Sequence, residues 1–230
     1  AFFGNPGAIY TVKDAIIRVL GLDMVRSLAL SISLGDSFRV EQRVGLDVRR
    51  FWTTALLTAD VSRLAATHAR LPDAPAPDPA YLCGLLHNLG LLPLAHLFPD
   101  AMARVLRTGA GAPVWTLGAV ERAELGLDHH QAGAWLAHRW HLPRCVVIVM
   151  QHYHEPEYRD DHWAANLLVG ACSRWAQWRL EHEGEGVTED LLAPLRTLGL
   201  DDAAITKVLH SFERKFEQTL EMAGVLIKER

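Results

Sequence analysis

The chain has 230 residues, half of them hydrophobic and 22% charged, with a formal net charge of −4 and no basic block. That is ample material for a core, and the acidic balance argues against nucleic acid as a partner. Cys83, Cys145 and Cys172 show no CxxC spacing, which suits reduced cytoplasmic thiols better than a disulfide frame or a zinc knuckle. No apolar run reaches the roughly 18 residues of a membrane span. The opening Ala1-Phe2-Phe3-Gly4 has no signal-peptide pattern. The expectation is a cytoplasmic chain with no membrane partner.

Apolar residues recur at three and four along most of the chain and no alternating strand pattern appears, so the fold class is all-α. A first helix starts at Thr11, with Asp14 reaching back in a capping arrangement, and ends near Gly21. A second runs from about Leu22 to Leu34. A long helix follows from Asp47 to about Ala69, with Trp52, Ala55, Leu56 and Ala59 on one face. The stretch Leu71–Pro79 is too rich in proline to be helical through its middle and reads as a surface loop. Asp78-Pro79 is expected as cap and first turn of the helix carrying His87.

Shorter helices are expected over Pro99–Thr108, Val114–Leu125 and Asp128–Trp140, and another from Pro143 to about Tyr153. Asp160-Asp161 reads as a turn and cap before a long helix, Trp163–Glu181. Trp135, Trp140, Trp163, Trp175 and Trp178 lie at helical spacings and are expected in the core. The charged, glycine-containing Glu181–Gly186 segment is the expected domain edge, dividing a domain over 1–180 from C-terminal helices over 187–230. Beyond it, Ile205, Leu209, Phe212, Phe216, Leu220 and Ala223 form an apolar stripe on a charged helix. That stripe either closes the domain core or, through Phe212, Phe216 and Leu220, offers a surface for self-association.

Several stretches in order carry a resemblance to a known family. Phe2-Phe3-Gly4-Asn5-Pro6 with the segment from Thr11 to Leu30 comes first, then Phe51-Trp52, then Gly84-Leu85-Leu86-His87-Asn88-Leu89-Gly90. The stretch from Leu125 through Asp128-His129-His130 to Ala134 follows, then Trp140-His141-Leu142-Pro143, then His152-Tyr153-His154-Glu155-Pro156. Together they resemble the HDOD family, bacterial signalling relatives of the metal-dependent HD phosphohydrolases, over roughly residues 1–178. The resemblance implies an HD-like helical bundle, here with a C-terminal helical extension. The family usually carries further helices before its phenylalanine-glycine segment, and these are expected to be missing from this chain.

The same resemblance implies a site. HD phosphohydrolases hold one or two divalent cations with histidines and carboxylates from several helices, polarising a phosphoryl oxygen and ionising a water. By position, the first ligand falls at Thr54, the HD pair at His87-Asn88 and the last aspartate near Cys172-Ser173. Hydroxyls and a neutral amide are poor partners for a doubly charged ion, so no metal and no hydrolysis are expected.

His87 itself reads as a buried histidine bonded to a backbone carbonyl or a side chain such as Asn88. A relict metal site would use His87, His129 and one of His152 or His154, although His152 and His154, two apart at a helix end, face different ways. Asp128 is expected to cap the helix that His129 enters. His68, His96, His138, His141, His162, His182 and His210 read as surface residues, and Cys83 and Cys172 as inert thiols in apolar surroundings. No GxSxG, P-loop, GxGxxG or HExxH pattern occurs. Two functions therefore stand: a non-catalytic signalling module that binds a protein partner, a small ligand or a second copy of itself, or a metal-dependent phosphohydrolase working through a relict histidine site.

Overall fold

The computed structural model describes residue 38 and residues 40–71, 73–182 and 187–228, without the side chains of residue 115 and residues 222–228. The chain divides into two compact units, Ala1–Phe38 and Arg39–Arg230. The helices expected from Thr11 and Leu22 lie outside the described residues. Helices on both sides of the Glu181–Gly186 segment belong to the second unit.

Among the described residues every regular element is helical. The central helix, α1 (Val48–Ala66), opens where the Asp47 carboxylate accepts a hydrogen bond from the Arg50 N–H at 2.8 Å, a cap that satisfies one orphan donor. It contains no glycine or proline, and every residue from Phe51 to Ala59 is buried. A helix apolar on all sides belongs in the middle of a bundle, and α1 packs against three neighbours, α2 (Pro77–Leu86), α8 (Trp163–Glu181) and α10 (Asp202–Lys228).

The α1–α2 contact depends on Gly84. A Cβ there would stand 2.8 Å from the Ala59 Cα and 2.9 Å from the Thr58 carbonyl oxygen, so only glycine lets the two backbones come this close. The proline-rich loop ends earlier than the sequence implies. Ala76 is the N-cap and Pro77 the first helical residue, so Asp78 sits in the first turn and is not the cap. Prolines are accommodated there because first-turn N–H groups have no helical partner.

The apolar run from Tyr81 to Ala95 is not one helix. It turns through His87–Gly90 before α3 (Leu91–Leu97), which puts His87 at the C-cap of α2. The Pro77–Leu97 stretch is apolar enough for a membrane span by composition, but 72% of its most apolar window is buried inside the chain. Core packing accounts for its hydrophobicity.

The next elements are α4 (Pro99–Thr108), a short 3₁₀ turn at Val114–Thr116, α5 (Gly118–Leu125), α6 (His129–Arg139) and α7 (Arg144–His152). The single helix expected over Val114–Leu125 is therefore two pieces joined at Leu117. Helix α6 buries His129, His130, Gly133, Ala134 and Ala137. Trp135 lies off that face and is 70% exposed, and Trp140 is 40% exposed, so neither belongs to the core as the spacing predicted. Trp175 is buried, while Trp163 and Trp178 pack at the core's edge.

The C-terminal helices α9 (Glu189–Thr197) and α10 join the same core. Phe212 packs against Trp175 with ring centroids 4.8 Å apart and the planes tilted by 45°, and Phe216 follows at 5.9 Å from Phe212. Phe212 and Phe216 are buried and Leu220 packs against them. Two of the three side chains named as a self-association surface are thus interior groups of this chain, because α10 lies across α1 and α8 with its stripe inward.

Candidate functional site

His87 leaves the end of α2 with both ring nitrogens engaged. Nδ1 is 2.6 Å from the Gly84 carbonyl oxygen, which only accepts, so Nδ1 carries the proton and donates. Nε2 is left as the acceptor and takes a hydrogen bond from the Ser173 hydroxyl of α8 at 2.9 Å. The Tyr153 hydroxyl, just past α7, donates to the side-chain oxygen of Asn88. The Tyr153 ring meets His87 edge-on with centroids 4.8 Å apart. His87, Asn88, Ser173 and Tyr153 are all buried. Burial pushes the His87 imidazole down to about 4 against the pull of the Gly84 carbonyl, with His129 adding to the fall. It also pushes the Tyr153 hydroxyl well above its ordinary range. The pair is a neutral, hydrogen-bonded knot joining α2, α7 and α8.

A second cluster adjoins it at the start of α6. Asp128 and Gln131 form a reciprocal capping box, with 2.8 Å from the Gln131 N–H to the Asp128 carboxylate. Burial raises the Asp128 carboxyl, but the His130 imidazole, the Gln131 N–H and the Arg122 guanidinium outweigh it and hold the group well below the usual carboxylate range. Glu121, from α5, is fully buried. One of its oxygens accepts from the His129 N–H at 2.9 Å and lies 2.6 Å from His129 Nδ1. A carboxylate from a neighbouring helix thus caps α6 together with Asp128, as the unpaired first-turn N–H groups favour.

The imidazoles then stack. His130 lies on His129 with centroids 3.8 Å apart and on His154 at 3.7 Å, and the Tyr153 ring is 5.2 Å from His130. Buried nitrogens of His129 (Nε2), His130 (both) and His154 (Nδ1), with the second Glu121 oxygen, have no hydrogen-bond partner in the protein. Burial, then repulsion from His129, pushes His130 down to about 3, although Asp128 lies 3.7 Å away. His154 is lowered too, chiefly by burial.

The structure therefore brings His87, Asn88, His129, His154 and Ser173 into one neighbourhood and links His87 directly to Ser173. Thr54 is buried on α1, and none of the bonds just described runs to it. His152 goes elsewhere, stacking on Tyr158 at 4.4 Å. Three residues of this neighbourhood were not singled out from the sequence: Glu121, His130 and Tyr153. A glutamate eight residues before a histidine signals nothing by spacing alone.

At the HD position and the α6 cap the groups that could meet a cation are already engaged. The lone pair of His87 Nε2 is taken by Ser173, the Asn88 oxygen by Tyr153, and the Asp128 carboxylate by its cap and Arg122. Among the described residues no three His, Cys, Asp or Glu side chains converge on a point that a metal could occupy.

The HDOD domain family model matches residues 1–156. This chain belongs to the HDOD domain family. Over 160 residues, 67% of its length, it is 28% identical to an uncharacterized protein of Treponema pallidum (strain Nichols), of which the match covers 29%. Its fold superposes with a TM-score of 0.74 on a crystal structure from Marinobacter aquaeolei VT8 named for signal transduction, at 28% identity, covering 98% of this chain and 50% of that one. A second solved structure, the MmoQ response regulator of Methylococcus capsulatus str. Bath, is similar at 27% identity and a TM-score of 0.63, over 85% of this chain and 75% of that one. The chain spans half or less of the length of the Treponema and Marinobacter relatives.

Proposed function

We propose that this chain is a non-catalytic signal-transduction module of the HDOD family, cytoplasmic and bacterial, acting by binding a protein partner or a small ligand. The observation that carries this reading is the closure of the HD position on itself. The His87 lone pair that would face a cation accepts from Ser173, and the residue in place of the aspartate, Asn88, accepts from Tyr153. An amide and a hydroxyl in those two places stabilise a neutral imidazole and offer no charge to a divalent ion. Kinship to proteins named for signal transduction and response regulation supports the direction of the reading by analogy of fold. The stacked His129, His130 and His154, with their unpartnered nitrogens beside Tyr153, are the polar groups best placed for a small ligand.

The test is divalent metal content by mass spectrometry on tag-free protein prepared without chelator, with turnover of a generic phosphodiester measured in parallel. The expected result is substoichiometric metal and no turnover, both for the natural chain and for Asn88→Asp, since Thr54 and Ser173 remain hydroxyls. Near-stoichiometric iron, manganese or zinc that disappears when His87 and His129 are replaced together, accompanied by turnover, would establish the phosphohydrolase reading instead.

A further inference from the structure

Helix α6 has two apolar faces, and the core uses only one. His129, His130, Gly133, Ala134 and Ala137 are its buried residues. Ala132, Trp135 and Leu136 lie to one side of them and form a wall of an open cleft of about 520 Å³. The opposite wall is α3 and the residue after it, through Leu94, Leu97 and Phe98. On both elements the lining residues fall at i, i+1, i+4 and i+5, counted from Pro93 and from Gln131, so each turns a single stripe toward the cleft. The walls are fixed by a close backbone approach, because Gly90 at the start of α3 lies against His129 and Gly133 of α6.

The chemistry of the lining narrows the occupant. None of the lining residues is ionisable, and the one polar side chain, Gln131, is already engaged with Asp128 in the capping box. A charged or strongly polar ligand would find no partner here. The walls also project, for Trp135 is 70% exposed, Leu97 63% and Phe98 44%. One exposed apolar residue is ordinary, but three around one cleft form a patch of the kind that marks a contact. They supply roughly 400 Å² of apolar surface. That is about half of the ~800 Å² each partner gives to a standard interface, the remainder of which is largely a polar rim. Charges of both signs are at hand for that rim: the exposed Arg139 is one turn past Trp135, and Glu124, paired with Arg104, is two residues before Gly126.

A second copy of this chain is selected because the patch carries both halves of a fit. An indole that stands out and a cavity roomy enough to take one lie side by side on the same surface, which is the condition for a self-complementary two-fold contact. A small apolar molecule would fill the cleft and still leave the outer edge of Trp135 in water. We propose that this cleft is the contact of a two-fold homodimer, in which Trp135 of each copy enters the cleft between α3 and α6 of the other. Self-association thus moves from the α10 stripe, which the core takes up, to the outer side of α6. The contact uses neither the HD position nor the histidine stack, so it stands or falls apart from the reading of that site.

The experiment is sedimentation velocity of the full chain over a dilution series, with Trp135→Glu and Leu97→Glu alongside. Interfaces of standard size bind from micromolar to picomolar, so the natural chain is expected to sediment as a dimer at about 50 µM. A buried aromatic anchor is worth about 30-fold or more in affinity, and a two-fold contact loses it twice, so Trp135→Glu should raise the dissociation constant about a thousand-fold. Leu97→Glu, on the opposite wall, should weaken the dimer in the same direction. Both side chains are mostly exposed, so the variants should keep the circular dichroism and urea midpoint of the natural chain; were Trp135→Glu to misfold, Leu97→Glu carries the test. The proposal is overturned if the natural chain is monomeric at that concentration, or if it dimerises and the folded variants dimerise equally well. A monomer that binds a hydrophobic dye and loses that binding in Trp135→Glu would give the cleft to an apolar small molecule instead.

Discussion

Acidification between pH 6.5 and 4.5 is expected to unfold this protein through its buried histidines. His87 is 1% exposed and falls to about 4, and His130 is 1% exposed and falls to about 3. Both folded values lie below the 6.5 of a free imidazole, so the unfolded chain takes up these protons first. Their stabilising contribution is whole above pH 6.5 and is lost progressively as the pH falls toward the folded values. Linkage over that interval puts the loss at pH 4.5 at roughly 2–3 kcal/mol for each histidine. Together that is on the order of 5 kcal/mol, comparable to the whole stability of many domains. Asp128 works in a lower window, because its depressed carboxyl loses its contribution only as the pH drops below the ordinary carboxylate range. The assay is urea denaturation at half-unit pH steps from 7.5 to 4.5. The natural chain should lose stability at a limiting slope near 1.4 kcal/mol per pH unit for each histidine. In His87→Gln the slope should shrink by one proton. Stability flat across the interval, or an unchanged slope in the variant, would refute the reasoning that His87 is held neutral by burial.

Two packing predictions need no titration. Gly90→Ala would place a Cβ 1.9 Å from the His129 carbonyl oxygen and 2.6 Å from the Gly133 N. Both are backbone atoms of α6 that cannot swing aside, so the turn and α6 must separate, at a cost of about 3 kcal/mol; an unchanged urea midpoint would show that the approach is looser than this. Phe212→Ala removes a ring that is 1% exposed and packed against Trp175, and large-to-small changes of this kind cost about 3–5 kcal/mol. If Phe212 instead served contacts between copies, sedimentation would show altered association at unaltered stability.

How much was readable beforehand follows from where local rules are strong. Helices over Pro99–Thr108 and Trp163–Glu181 begin and end as the pattern implies, and Asp128 caps α6 as its type and place require. The break at His87–Gly90 was hidden because the run on either side is apolar throughout, and periodicity cannot mark a turn inside a sequence that is buried on every face. Trp135 and Trp140 misled for the related reason that helical spacing places residues on a face without saying which face meets the core. At the site, the backbone carbonyl partner of His87 was legible in kind, but the side chain expected beside it, Asn88, pairs with Tyr153 instead. The actual side-chain partner of His87, Ser173, is 86 positions away, and only the bundle brings α8 to α2. Glu121 was illegible because its role is to complete the end of another helix.

The exchange of groups at the HD position also explains how the site can stay polar and yet be core. A histidine, an asparagine and a serine buried together would each cost stability if left unpaired. Here the Gly84 carbonyl and Ser173 engage His87 while Tyr153 donates to Asn88, and the Tyr153 ring meets His87 edge-on, so the two sets of bonds together join α2, α7 and α8. Removing any one member orphans the next: without the Tyr153 hydroxyl the Asn88 oxygen loses its donor, and without Ser173 the His87 lone pair is buried and unmet. A fully satisfied polar network specifies one arrangement of the helices it joins more sharply than apolar contacts of the same size. On the reading proposed above, the polar residues retained at the HD position set the register of the three helices, and the adjoining histidine stack, whose nitrogens are not all satisfied, is where the chain keeps capacity to bind.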